Sequence, residues 1–523
     1  MAKMWAYRTV VFLSAFLLFQ IQPVTSKALL PGFGGSYLVW GASMVFYQLM
    51  LLLGYLYAHA VHRFMGVRRY APRHWALLLA PLLVLPFSAE QFDGGYGDLP
   101  LAPEVFIILF LTVGLPLLSL STTSLVLQRW LAESELPERR NPYILYGASN
   151  LGSMLALLTY PAIVEPLSGQ DLQMDLWAAG YVLTVFLHIF CMPYRSDSGE
   201  NMERRNNMEL PVLQIPGFRR YIAWFFLNMA ACAMLIAVTN VITFDVAAAP
   251  FLWVLPLSVY LLCFVLTFKK RPWFPGWLAP LAYWAAVAAV AVHLVSQFRL
   301  RLPVGLSIAL HLLVLFGVCI NCSGRLALSK PGNSGELTFF YLVIALGGLA
   351  GSVVAGWVAP VVSNSLIEYP AGIALAMLAF AIAGPRRLRD GKMTLKAVLL
   401  CATLIAVSTV AAPWLAGESN AGIDLRIAML ISALPVLLIL RRFAGKPGVT
   451  AALIVVITVC TCWTEDMVTG ARSVKRLRNY YGIYKIYEKD NIRYLQHGTT
   501  QHGRQYISGP KKEIPLAYFH PTT

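Results

Sequence analysis

Long apolar runs separated by short polar links recur along the whole chain. Most runs are about 17–25 residues long, which is the length of α-helix that crosses roughly 30 Å of hydrocarbon. They predict about fifteen membrane-spanning helices, near residues 8–29, 37–61, 74–89, 103–127, 142–165, 172–193, 219–243, 250–268, 274–297, 303–323, 336–361, 367–384, 395–416, 424–440 and 447–464. The predicted fold class is therefore an all-α polytopic membrane protein.

The sequence around the second run resembles the sequence around the eighth. In each place Val-Thr closes the preceding run, and a short link leads into an apolar run with a Trp near its start. Trp40 and Tyr47 are seven residues apart, as are Trp253 and Tyr260, so each pair lies on one face of a helix. This likeness predicts an internal repeat of two six-helix halves, a plan typical of transporters.

A second similarity supports the same repeat. A Gly-Ser pair at Gly152 precedes Pro161 by nine residues, and another at Gly351 precedes Pro360 by nine. Small residues of this kind allow helices to pack closely. Together with the polar Asn150 they are also candidates for substrate binding, and the sequence leaves both roles open.

The tail of the chain differs in character from the rest. From Tyr480 to Leu495 polar and apolar residues alternate on both sides of Lys-Asp-Asn, which predicts a short β-hairpin. A hairpin of this size is marginal alone, so we expect it to lie against the membrane domain, the lipid surface or another chain. The predicted parts are residues 1–193 (first half), 194–218 (polar cytoplasmic link), 219–390 (second half), 391–464 (three further helices) and 465–523 (extramembrane tail).

Composition excludes a soluble globular protein. The chain is 58% hydrophobic and 13% charged, and its mean hydropathy is +0.64. Most of the eight Cys lie inside apolar runs, which argues against a disulfide framework. The net charge of +16 does not indicate nucleic acid as a partner, because the basic residues lie in the links between runs. The expected environment is a lipid bilayer.

The distribution of basic residues predicts the orientation. If the N-terminus is cytoplasmic, the inner links up to residue 446 carry 25 Lys and Arg, whereas the outer links carry 4. Cytoplasmic links are enriched in Lys and Arg, so this bias favours a cytoplasmic N-terminus. Fifteen spans then place the tail in the periplasm of a bacterial inner membrane.

Polar residues inside or beside the apolar runs are the candidate functional residues. Lys27 and Asp245 occupy similar places just past the outer ends of the first and seventh runs, where an ion pair could close the mouth of a central cavity. They could equally be two unrelated charges that reach water. Gln48 and Asn150 are candidates for contacts with a substrate.

Motifs of enzymes and metal sites are not found. No GxGxxG follows a soluble strand, and the chain has no P-loop, HExxH or GxSxG motif. His497 and His502 have no acid or Cys nearby to complete a metal site. We therefore predict no catalytic, cofactor or metal residues.

An ordered set of phrases resembles the bacterial fused major-facilitator/spermidine-synthase membrane proteins. In the membrane region these are FLSAFLLFQIQPVTSKALLPGFGG (12–35), LQRW (127–130), LYGASNLGS (145–153), FLWVLPLSVYLL (251–262), FFYLVIALGG (339–348) and EYP (368–370). In the tail, RNYYGIYKI (478–486), HGTTQHGRQ (497–505) and PLAYFHP (515–521) are similar to the start of the synthase-like portion.

The resemblance implies a role for the tail. Spermidine synthases have a β-rich N-terminal segment followed by a Rossmann-like domain that binds decarboxylated S-adenosylmethionine, and only the first is expected here. The chain alone is therefore not expected to transfer an aminopropyl group. The tail residues that the resemblance nominates for docking a partner are Tyr481, Tyr484, Gln501, Tyr518 and His520.

Two functions follow as hypotheses. The first is a non-catalytic membrane anchor or partner of a separately encoded synthase-like protein or of a larger membrane complex. The second is a transporter of a small solute, including cationic solutes such as polyamines.

Overall fold

The structure is a computed structural model in which the residues described form a helical bundle and a small sheet. It describes residues 2–33, 37–65, 67–92, 99–132, 136–140, 144–192, 217–245, 250–269, 272–278, 303–331, 336–384, 446–456, 472–479, 482–497 and 500–513, with a few isolated positions. The predicted link 194–218 and the predicted runs 274–297, 395–416 and 424–440 lie almost wholly outside these residues. So do the docking candidates Tyr481, Tyr518 and His520.

Among the described residues, nine α-helical segments precede the predicted link 194–218, termed the central link. They are α1 (Ala2–Ala28), α2 (Leu30–Phe33), α3 (Tyr37–Phe64), α4 (Val67–Leu79), α5 (Leu101–Leu109), α6 (Leu115–Ala132), α7 (Ile144–Thr159), α8 (Glu165–Leu167) and α9 (Gln170–His188). In the part of the chain that the structure describes, seven segments follow it: α10 (Gly217–Asp245), α11 (Pro250–Phe268), α12 (Val304–Ser329), α13 (Leu337–Val353), α14 (Ala359–Val362), α15 (Glu368–Ala383) and α16 (Pro447–Val456).

Membrane-crossing helices account for most of these segments. In the described part, eight helices are long and apolar enough to cross a bilayer, and three shorter apolar helices accompany them at Leu252–Phe268, Glu368–Ala383 and Pro447–Val456. The prediction of a multi-pass membrane protein is confirmed in this form, and the number fifteen stays a prediction. The run predicted at 74–89 differs, because α4 ends at Leu79 and a 3₁₀ turn, Ala80–Leu83, follows. Pro81 in that turn has no N–H to continue the helix.

The surface of the bundle matches a lipid environment. On α9 and the 3₁₀ turn Ile189–Cys191 that follows it, a row of exposed apolar side chains recurs at intervals of three, four or seven residues: Leu172, Leu176, Leu183, Phe186 and Phe190. Soluble monomers rarely expose apolar patches of this extent. Such a row is what a helix presents to hydrocarbon.

Glycines allow close helix contacts both before and after the central link. A Cβ at Gly152 on α7 would lie 2.3 Å from the carbonyl oxygen of Phe12 on α1, and one at Gly351 on α13 would lie 2.2 Å from that of Met229 on α10. Neither distance accommodates a side chain. Both glycines therefore serve close helix packing, the first of the two roles that the sequence left open.

Helices α7 and α13, which carry these glycines, each continue into a wider π-helical segment. Helix α7 continues into a π-helical segment, Tyr160–Val164, which contains Pro161. Helix α13 continues into another, Val354–Val358, two residues ahead of Pro360. A proline removes one backbone donor from the helix, and a π-turn is a common accommodation of such a local break.

The tail forms an antiparallel sheet of four strands in sequence order, β1 (Arg472–Asn479), β2 (Gly482–Lys489), β3 (Ile492–His497) and β4 (Thr500–Tyr506). The predicted hairpin is confirmed as the central pair, β2 and β3, and the sheet extends it by one strand on each side. Asp490 and Asn491 join this pair with φ angles of 51° and 61°. Two positive φ angles in a two-residue loop are the signature of a type I′ hairpin turn.

The sheet contacts one end of the bundle, termed the sheet end. His497 packs edge-on against Phe244 near the end of α10, and Arg478 pairs with Glu368 at the start of α15. Near the same end, Trp40 at the start of α3 stacks on Trp253 at the start of α11, with ring centroids 5.1 Å apart. Because α1 leads through the short α2 to the start of α3, it ends at the sheet end. It begins at the opposite end, termed the amino-terminal end.

Candidate functional site

A cavity of about 160 Å³ lies in the middle of the bundle. Helices from before the central link (α1, α3, α6 and α7) and after it (α10, α11 and α13) supply its walls. A known protein cavity of about 150 Å³ accommodates benzene, so a solute of that size or slightly larger fits here.

Helices α3 and α11 line the cavity with matching positions. Each lining residue of α3 has a counterpart on α11 that lies 213 residues later in the chain. The pairs are Met44 and Leu257, Tyr47 and Tyr260, Gln48 and Leu261, Leu51 and Phe264, and Tyr55 and Phe268. Trp40 and Trp253, one turn beyond the cavity, have the same offset. The two helices thus present the same face to the centre of the bundle.

The lining is largely apolar, and its polar groups carry no charge. Among the described residues that form the walls there is no Asp, Glu, Lys, Arg or His. The polar groups are hydroxyls and amides, from Tyr47, Tyr55, Tyr146, Tyr260, Tyr341, Gln22, Gln48, Asn150, Asn228, Ser14, Ser121, Ser124, Ser149 and Ser153. Such a wall can exchange hydrogen bonds with a solute and offers it no counter-charge.

Two of the tyrosines are held in place by neighbouring helices. The Tyr47 hydroxyl lies 2.7 Å from Thr25 Oγ1 and donates to the Gln22 carbonyl at 3.2 Å. The Tyr260 hydroxyl donates to Asn228 Oδ1 at 3.3 Å, and Asn228 Nδ2 donates to the Ile344 carbonyl at 2.8 Å. These bonds fix the ring positions on opposite walls, and fixed groups discriminate better between solutes.

Aromatic contacts lie toward both ends of the cavity. At the sheet end the stacked indoles of Trp40 and Trp253 are nearly completely buried. At the amino-terminal end Tyr341 meets Tyr55 and Tyr146, each at a centroid distance of 6.1 Å. Every one of these contacts joins a helix before the central link to a helix after it.

A hydrogen bond accompanies the aromatic contacts at the amino-terminal end. His59 Nδ1 on α3 lies 2.8 Å from Thr338 Oγ1 on α13. Both residues belong to helices that line the cavity. Opening this end would therefore require loss of one hydrogen bond and several aromatic contacts.

The structure brings together two of the four predicted substrate or gate residues. Gln48 and Asn150 both line the cavity. Lys27 lies at the end of α1, where its Nζ contacts Glu165 Oε1 at 2.8 Å. Asp245 ends α10, but its side chain is outside the described residues, so the predicted pair with Lys27 stays a prediction. Glu165 was not predicted, although its place at the outer end of the fifth run marks it as a partner for Lys27.

A second polar site holds the tail sheet to the bundle. Arg478 on β1 donates to both carboxylate oxygens of Glu368, at 2.7 and 3.2 Å, and to the Ser365 carbonyl at 2.8 Å. The Arg478 and Glu368 side chains are 0% and 1% exposed. Asn240 on α10 donates to the same carboxylate at 3.0 Å. A two-pronged arginine–carboxylate pair of this kind fixes geometry as well as charge.

The docking candidates in the tail have mixed positions. Tyr484 stacks on His497 at a centroid distance of 4.5 Å, and His497 meets Phe244 of the bundle. Tyr484 therefore faces the protein's own helices in this structure. Gln501 lies on β4 opposite Gln496, away from that contact. Sequence reasoning missed Arg478 and Glu368, though each lies in one of the phrases that carry the family resemblance.

Metal chemistry has no visible site in the described part of the chain. No group of three His, Cys, Asp or Glu side chains there could hold a metal ion. The His497 and His502 rings are 5.6 Å apart and lack a third such neighbour among the described residues.

Comparisons with known proteins identify no family for this chain. Neither the known family models nor the curated proteins give a match to this chain. The likeness to the fused major-facilitator/spermidine-synthase proteins therefore stays a prediction from the phrases of the sequence.

Proposed function

We propose that this chain is a carrier that moves a small solute through the cavity at the centre of its helix bundle. The observation that carries the proposal is the position of that cavity, between two sets of aromatic contacts that each join the part before the central link to the part after it. A carrier needs such contacts at both ends, because each end opens in turn while the other stays closed.

The internal repeat belongs to the same proposal. In it, residues 1–193 and 219–390 are two six-helix halves related by a pseudo-twofold axis. The matched cavity positions of α3 and α11, and the matched glycine contacts of α7 and α13, support that relation. With the predicted orientation, the amino-terminal end faces the cytoplasm and the sheet end faces the periplasm.

The carrier proposal can be tested without knowing the solute. A single Cys at Ser149, in a chain whose eight native Cys are replaced, reports on the cavity wall. We expect a membrane-impermeant thiol reagent to modify it slowly from both sides of the membrane. Trp253→Ala should speed modification from the sheet end, and Tyr341→Ala should speed it from the amino-terminal end. Because one aromatic contact is worth about 0.5–1.5 kcal/mol, each increase should be about two- to tenfold.

The chain without the reporter Cys is the control, and it should not react. A Ser149→Cys reporter that reacts from neither side, even when either closure is weakened, would make the cavity a sealed packing defect. Reaction from one side only would indicate a fixed pore entrance and would also contradict a carrier.

A second candidate function is a membrane partner for a separate synthase-like protein that docks on the tail. It is favoured by the way the sheet is presented: Arg478 fixes one corner to the bundle, while Leu477 on β1 and Leu495 on β3 stay exposed. From 472 to 513 the tail carries ten Lys and Arg against three acids, so the fitting partner has an acidic, partly apolar surface.

Purification of the tagged chain from its native membrane in mild detergent tests the partner. We expect a synthase-like protein in stoichiometric amount, and its loss when Leu477 and Leu495 are both changed to Glu. Retention of that protein by the double variant would place the contact elsewhere. Absence of any stoichiometric partner from the unaltered chain would remove this candidate.

A further inference from the structure

We infer that the central cavity selects an uncharged solute that has a ring or short hydrocarbon part and one hydrogen-bonding group. This inference rests on the proposed carrier function for its physiological meaning, but the binding site itself is argued from the walls alone. Polyamines are multiply charged, so they are not the class of solute that this inference selects.

The absence of charge on the walls is the first reason. A charged solute that enters a dry site between membrane helices loses its hydration, and only an opposite charge or several strong hydrogen bonds offset that loss. The described lining contains no carboxylate for a cation and no basic group for an anion. An uncharged solute avoids this cost.

The walls are also divided by character. All four lining residues of α7 are polar: Tyr146, Ser149, Asn150 and Ser153. On α11, Tyr260 is the one polar lining residue, and the remaining four are Leu257, Leu261, Phe264 and Phe268. A solute with one polar end and one apolar face matches two such neighbouring walls.

One buried polar atom lacks a partner at this site. Ser14 on α1 is 2% exposed and lines the cavity, and its hydroxyl has no hydrogen-bond partner among the described residues. Buried polar groups without a partner are uncommon and cost stability. A hydroxyl or carbonyl on the solute would satisfy it. Ser14 is thus the best candidate for the residue that forms a hydrogen bond with the polar end of the solute.

A matched set of probes tests the class of solute. Benzyl alcohol, benzylamine and benzoate have nearly the same size and differ in charge at pH 7, and toluene lacks the hydroxyl. We expect benzyl alcohol to raise the unfolding temperature of the purified full chain and to slow thiol modification of the Ser149→Cys reporter in detergent. Benzylamine, benzoate and spermidine at the same concentration should do neither, and toluene should act more weakly than the alcohol.

Ser14→Ala provides the residue test, because it removes one hydroxyl without filling the cavity. Loss of one hydrogen bond should weaken benzyl alcohol binding about three- to tenfold and leave toluene binding unchanged. Tighter binding of benzylamine or spermidine than of benzyl alcohol would overturn the inference, as would an equal effect of Ser14→Ala on alcohol and toluene. A reporter that is protected by benzyl alcohol in detergent but reacts from neither side in membranes would remove the carrier function and keep the binding site.

Discussion

Replacement of Arg478 by Ala is expected to release the tail sheet from the helix bundle. The substitution leaves the Glu368 carboxylate buried with Asn240 as its described hydrogen-bond donor. Removal of one partner from a fully buried ion pair typically costs about 3–5 kcal/mol, because the remaining charge cannot reach water. Amide hydrogen exchange in β1 and β2 should therefore rise by about a hundredfold or more, since 1.4 kcal/mol is roughly a factor of ten.

Arg493 is the matched control within the same sheet. Its pair with Glu488 is close, but the Arg493 side chain is 50% exposed. Exposed pairs contribute about 0–1 kcal/mol, so Arg493→Ala should change exchange in β1 and β2 little. Similar exchange in the Arg478 and Arg493 variants would show that the buried pair does not hold the sheet.

Simultaneous replacement separates the charge from the shape. When Arg478 and Glu368 are both changed to Met, no buried charge remains and the apolar volume is largely kept. Buried pairs replaced in this way are often as stable as the original. We expect the double variant to regain most of the protection that either single variant loses, and a loss equal to the sum of both would contradict this account.

Local patterns were sufficient to predict most of the described membrane helices and the centre of the sheet. The apolar runs predicted the membrane helices, and the alternation of polar and apolar residues from Tyr480 onward predicted β2 and β3. Strand β1 was not predicted because Arg472–Asn479 reads as a basic link. Its buried member, Arg478, finds its partner Glu368 110 residues earlier in the chain. A contact at that separation leaves no periodic trace in the sequence.

The candidate site was predicted in the same partial way. Gln48 and Asn150 were found because a polar side chain in an apolar run is costly unless it has a use. The equal spacing of Trp40 with Tyr47 and Trp253 with Tyr260 indicated matched faces. It could not indicate that the two indoles stack on each other, since that depends on how the helices pack. The partner of Lys27, Glu165, was missed for the same reason.

The cavity accounts for the matched positions of α3 and α11, which the sequence alone did not explain. The matched faces of α3 and α11 line one cavity, and the aromatic contacts toward its two ends join helices before the central link to helices after it. Among the neighbours of α3 and α11 are α13 and α7, which carry the glycine contacts. Those contacts set the distance of α7 from α1 and of α13 from α10. The cavity therefore depends on glycines that do not line it.

Replacement of Gly152 by Ala is expected to disrupt the bundle, although Ala is normally the better helix former. The added Cβ would lie 2.3 Å from the Phe12 carbonyl oxygen, so α1 and α7 would have to separate. Overpacking of this kind typically costs about 1–3 kcal/mol, and here the obstacle is backbone, which cannot rotate away. The unfolding temperature in detergent should fall, and Gly351→Ala on α13 should behave alike, because its Cβ meets the Met229 carbonyl oxygen at 2.2 Å.

Gly147, five residues earlier on α7, is the control, because a Cβ there meets no atom of the described residues within 4 Å. Ala is favoured over Gly in a helix by about 0.5–1 kcal/mol, so Gly147→Ala should raise the unfolding temperature slightly. The two substitutions are chemically the same and lie on one helix, yet their effects should have opposite sign. Effects of the same sign at Gly147 and Gly152 would mean that α1 and α7 do not pack through the glycine, and the walls of the cavity would then be set by other contacts.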